Sequence, residues 1–119
     1  MRRTLASMAV LVSTLATVTA CGDDESSNGD GAGTETIEIT FEGDTVTPNA
    51  ERVEVGVDQP VDLVVTADEP GEIHVHSDPE QEFAYDAGET TFELAIDRPG
   101  VVEVESHDLD VVIVQLEVS

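Results

Sequence analysis

At 119 residues the chain has room for one domain with extensions, not for two domains. Its 27 acidic residues stand against four arginines, three histidines and no lysine, an anionic surface that excludes nucleic acid as a partner. Cys21 is the only cysteine, so no intrachain disulfide can form.

Residues 1–20 have the pattern of an export signal. Arg2 and Arg3 supply a positive start, and residues 5–18 are mostly apolar but interrupted by Ser and Thr. That run is too short and too hydroxylated for a membrane span, so it is read as cleavable. The arginine pair leaves the Sec and twin-arginine routes both open. The signal ends in Val18-Thr19-Ala20-Cys21, which resembles the lipobox of bacterial and archaeal lipoproteins. The resemblance implies lipidation of Cys21 and a mature chain that starts there. An ordinary signal peptide cut elsewhere is the alternative.

Residues 21–35 are then the lipidated cysteine and an acidic, Gly- and Ser-rich tether with no aliphatic side chain between 22 and 33 larger than alanine. All 27 acidic residues follow Cys21, but only Arg52 and Arg98 do. A high-salt habitat would account for this composition, since salt screens the self-repulsion. So would a surface that concentrates cations, and composition does not choose between them.

From residue 36 the pattern switches to a period of two. Ile37, Ile39 and Phe41 alternate with Glu38 and Thr40, and Gly43-Asp44 makes a turn. Val53, Val55 and Val57 form the next inward set, then Val61, Leu63 and Val65 after the turn at Asp58-Gln59-Pro60. Ile73 to His76 follow a turn at residues 68–71, and a polar loop leads to Phe83-Ala84-Tyr85. Phe92, Leu94 and Ile96 point inward from the next strand. Pro99-Gly100 then turns the chain into strands over 101–106 and 111–118. Seven or eight short strands bounded by Gly, Pro or Asp predict an all-β, antiparallel Greek-key sandwich over residues 36–119.

The histidines carry the chemistry. His74 and His76 are two apart on an extended chain and share one face, while Ile73 and Val75 face the other way. Along residues 101–107, parity places His107 with Glu103 and Glu105, and Ser106 with Val102 and Val104. Ser106 and His107 therefore face opposite sides, which is a poor arrangement for proton transfer, and catalysis is not expected.

The order Val46, Pro48, Val53, Val55, Gly56, Val61, Leu63, Val65, His74 is similar to the early strands of the cupredoxins. Ala87-Gly88, Phe92, Leu94, Pro99-Gly100, Val102, Val104, Ser106, His107, Leu116 and Val118 match that family's closing hairpin. The resemblance implies a cupredoxin-like sandwich with His74 at the first copper-binding histidine. It puts Ser106 at the cysteine ligand, leaves no histidine near Leu109, and puts Val111 and Val112 where the methionine ligand should open the last strand. Blue copper chemistry depends on a thiolate, which excludes electron transfer through such a centre.

What remains is a metal site of His74, His76 and His107 brought to one pole of the sandwich, with Asp78 or Asp108 as further ligands. Such donors suit copper first and zinc as the alternative. The expected function is an exported, lipid-anchored domain that binds a divalent metal for capture or delivery. The alternative is a metal-free extracytoplasmic module on the same sandwich that contacts another cell-envelope protein. Cys21→Ser is expected to move the protein from the membrane to the soluble fraction; unchanged partitioning would count against the anchor.

Overall fold

The computed structural model describes residues 33–119; the signal, Cys21 and all but the end of the tether lie outside the described residues. Nine strands follow in order: β1 (Glu35–Glu42), β2 (Thr45–Thr47), β3 (Glu51–Val55), β4 (Val61–Ala67), β5 (Gly71–Val75), β6 (Gln81–Tyr85), β7 (Gly88–Leu94), β8 (Gly100–Ser106) and β9 (Val111–Val118). They form a four-stranded sheet, β2-β1-β4-β7, and a five-stranded sheet, β3-β9-β8-β5-β6. Among the described residues no helix is long and apolar enough to cross a membrane.

The all-β sandwich is as the alternation predicts, but the pairing is mixed rather than wholly antiparallel. β1 runs parallel to β4, and β3 parallel to β9. After the β1–β2 hairpin, where Gly43 takes a φ of 57°, the chain leaves for the second sheet at β3 and returns with β4. A strand that comes back by such a crossover can lie parallel to its neighbour, which a hairpin cannot arrange.

Inward residues of both sheets make one core. Ile39, Leu63, Val65, Ile73, Val75, Val104 and Leu116 are fully buried in it. Val57 departs from the expected inward set and is exposed, because β3 stops at Val55 and Asp58 turns the chain with a φ of 59°. Phe92 is only half-buried and stacks on Phe83 with ring centroids 4.9 Å apart. A register shift near the end of β8 pairs Val104 with Val114 but Glu105 with Val112. Ile113 is the extra residue, and both it and Val114 are buried.

At the pole where β5 begins, Tyr85 stacks on Phe41 with ring centroids 5.0 Å apart and passes over Gly71. A Cβ at Gly71 would press on Tyr85 Oη and lie 2.7 Å from its Cζ. Gly71→Ala therefore overpacks this corner and is expected to cost about 1–3 kcal/mol. A urea melt reads it as a lower midpoint at constant slope; an unchanged midpoint would contradict the packing.

Candidate metal centre

β5 lies between β6 and β8, and the register decides what surrounds His74. It sits opposite Glu82 on β6 and opposite Glu105 on β8. Ile73 and Val75 face the core, so His74 faces out, with Glu72 two residues back on the same side. His76 follows the end of β5, where its N–H continues the ladder by donating to Glu103 O at 2.8 Å. His107 follows the end of β8 on the same outer surface, and Glu80 reaches in from the loop between β5 and β6.

The three rings do come together. Those of His74 and His107 are 3.9 Å apart between centroids, and those of His76 and His107 are 6.1 Å apart. Their location differs from the expected one: they lie on the outer face of the five-stranded sheet, whereas Ser106 points into the core. Ile73 pairs with Ser106 in register and both are buried, so His74 and Ser106 stand on opposite sides of the sheet. The Ser106 hydroxyl instead accepts from Leu109 N at 3.3 Å and holds the turn after β8. The pole itself carries a pocket of about 320 Å³ lined by Tyr85, Ser106, Asp44, Asp68, Glu69 and Asp108.

Of the two aspartates considered as further ligands, neither meets the rings. Asp78 accepts from Arg98 Nη1 at 2.6 Å, and Asp108 lines the polar pocket. Four glutamates take their place. Glu105 Oε1 lies 2.8 Å from His76 Nε2 and 2.8 Å from His107 Nε2. Glu72 Oε1 is 2.6 Å from His74 Nε2, and Glu80 Oε1 is 3.2 Å from His74 Nδ1, with Glu82 Oε1 at 3.7 Å. The donor atoms gather into two groups, His76–Glu105–His107 and Glu72–His74–Glu82, each within 4.8 Å of one another. The signal for Glu72, Glu103 and Glu105 was the same parity that placed the histidines. Glu80 and Glu82 could be found only from the β5–β6 register.

These contacts set the protonation. The hydrogen bond to Glu72 holds the His74 pKa above its ordinary 6.5 despite partial burial, helped by Glu80 and Glu82. The hydrogen bond to Glu105 does the same for His76, and in return His76 holds the Glu105 carboxyl below its ordinary value. A nearby carboxylate favours the imidazolium more than burial disfavours it.

No protein-family model matches the chain, and no curated protein matches it in sequence. Solved structures do. The chain is similar to a copper binding protein whose solution structure was determined in the apo form, at 17% identity and a TM-score of 0.57, covering 76% of this chain and 93% of that one. It is similar to a purple cupredoxin from Nitrosopumilus maritimus, at 20% identity and a TM-score of 0.51, covering 71% and 99%. It is also similar to an amicyanin variant with Cu(I), at 10% identity and a TM-score of 0.54, covering 71% and 82%. At such identities the likeness establishes the fold, and the described domain is a cupredoxin-like β-sandwich.

The raised histidine pKa values give the metal-free protein a defined pH dependence. Their stabilisation is fully present below the unfolded value of 6.5 and is lost as pH rises through the higher folded values. Thermal melts should therefore show the stability advantage of the wild type over His74→Gln shrinking as pH is raised from about 6 to 8. An advantage that grows over that range would contradict the ion pairs.

Proposed function

We propose that this is an exported, lipid-anchored cupredoxin-like domain that binds a divalent metal, copper before zinc, for capture or delivery. The observation that carries the reading is the approach of His76 Nε2 and His107 Nε2 to one shared oxygen, Glu105 Oε1, each at 2.8 Å, on the outer face where β5 pairs with β8. The donor set fits such an ion. Bonds of about 2.0–2.1 Å in tetrahedral geometry leave neighbouring ligand atoms about 3.3 Å apart, so each imidazole nitrogen, now 2.8 Å from Glu105 Oε1, would open from it by about half an ångström. Two imidazoles and a carboxylate suit Cu(II) or Zn(II), with positions left for water or for a group on an acceptor. The ring exposures agree, since the His76 and His107 side chains are 34% and 53% accessible.

No cysteine occurs among the described residues, and Cys21 lies outside them. Copper bound here has nitrogen and oxygen donors and lacks the intense visible charge-transfer band of a copper–thiolate centre. Cys21 and the acidic tether would keep the domain close to the outer surface of the membrane, where the carboxylate field raises the local concentration of divalent ions. The carboxylates that would steer an ion in also raise the pKa values of His74 and His76, so protons and metal compete for those nitrogens.

The second reading, a metal-free module that contacts another envelope protein, draws on one observation. Each imidazole already has a carboxylate partner without any ion, so the cluster is electrostatically satisfied as it stands. Titration with Cu(II) and Zn(II) separates the two. His76→Ala and His107→Ala are each expected to weaken binding by at least about tenfold, or 1.4 kcal/mol. Affinity that survives both substitutions would assign the binding to scattered carboxylates and leave the interaction module standing.

A further inference from the structure

We propose that the polar pocket at the pole where β5 begins is a second binding site, one that takes a small organic cation of the diamine class. It is separate from the histidine cluster and does not depend on the metal reading.

Three turns build the pocket. The β1–β2 turn brings Asp44, the β4–β5 turn brings Asp68 and Glu69, and the turn after β8 brings Asp108. These turns are tied down. Gly43 N donates to Asp68 Oδ2 at 2.8 Å and joins the first to the second, while Leu109 N donates to Ser106 Oγ at 3.3 Å and fixes the third. The result is a floor of two buried residues with hydroxyls, Tyr85 and Ser106, under a rim of four exposed acidic residues. No basic side chain lines it, and Arg52 and Arg98 are engaged elsewhere, with Glu117 and Asp78.

Acidic side chains cover this whole domain, so the rim alone does not define a site. The floor does. Tyr85 is 6% exposed, yet its hydroxyl makes no hydrogen bond among the described residues. No polar side-chain atom sealed from solvent lacks a partner there, so this hydroxyl is not sealed and opens into the pocket. A Cβ at Gly71 would meet Tyr85 Oη and lie 3.2 Å from Asp108 Oδ2. The phenol and the Asp108 carboxylate thus border one small region without bonding to each other. Burial, with the charges of Asp108 and Asp68, pushes the phenol pKa up and keeps the hydroxyl neutral. An ammonium group carries three N–H donors, enough to serve both oxygens at once.

Size and spacing select the cation. The volume of about 320 Å³ lies at the lower end of the range for small-molecule sites, roughly 300–1,000 Å³. Among the described residues, the pocket's carboxylates do not gather three oxygens within 4.8 Å of one another, as a bare metal ion needs. Two ammonium ends on one short chain suit carboxylates that stand apart on three turns. The pocket also lies clear of the tether. Gly33 O accepts from Gln59 Nε2 just before β1, and the eight residues of β1 carry the chain about 26 Å, at roughly 3.3 Å each, to the pocket's edge.

Tyr85 is the only tyrosine and the chain has no tryptophan, so tyrosine fluorescence reports on this pocket alone. The full chain is titrated with 1,4-diaminobutane in about 1 M NaCl, which screens the diffuse acidic field. A saturable fluorescence change is expected, and none with 1,4-butanediol. By calorimetry, Tyr85→Phe and Asp108→Asn should each weaken binding by at least about tenfold. Tyr85→Phe keeps the ring on Phe41, so the loss is that of the hydroxyl. Glu54→Gln on β3 and His76→Ala should leave the affinity unchanged. The absence of a saturable change, an equal response to the diol, or a loss in Glu54→Gln as large as in Asp108→Asn would overturn the site. None of these outcomes touches the metal centre, which the Cu(II) and Zn(II) titrations test by themselves.

Discussion

Everything at the candidate site depends on the alternation of side chains across two neighbouring strands. β5 and β8 pair antiparallel, with Ile73 opposite Ser106, His74 opposite Glu105 and Val75 opposite Val104. The first and last of these pairs fill the core, which leaves the middle pair no choice but the outer face. A slip of one residue would bury His74 and Glu105 and expose Ile73 and Val75, exchanging fully buried apolar side chains for two buried polar ones. The cost of that exchange is what pins the site in place. The outward side chains of the candidate site are held by the same hydrophobic pattern that makes the sandwich.

On that rigid face the electrostatics are one-sided. Among the described residues the three imidazoles are the basic groups in contact with these glutamates, and the carboxylates beside His74 and His76 hold their pKa values up. The rings of His74 and His107, 3.9 Å apart, are flanked by separate carboxylates, Glu72 against His74 and Glu105 against His107. The arrangement also separates this chain from a blue copper protein built on the same fold. The residue that the resemblance aligns with the cysteine ligand is Ser106, which points inward and whose hydroxyl accepts from Leu109 N.

Much of this was legible in the residue order. The strict period of two from Ile37 onward predicts strands, and the parity of residues 101–107 correctly separates Ser106 from His107. His74, His76 and His107 are in fact neighbours. What local pattern could not supply is which strands pair. The parallel partners of β1 and β3 depend on crossovers between sheets, and the place of Glu82 beside His74 depends on the register of β5 with β6. For the same reason Asp78 and Asp108, adjacent in sequence to the histidines, were plausible ligands that the loops carry elsewhere. Val57 failed because a strand's end is set by the turn that stops it, here at Asp58.

A crystal structure of the copper-loaded protein, with anomalous scattering collected at the copper edge, tests the central claim most directly. The account predicts a peak on the outer face of the five-stranded sheet, bonded to His76, Glu105 and His107. A peak in the polar pocket beside Ser106 and Tyr85, with the three imidazoles free of metal, would contradict it.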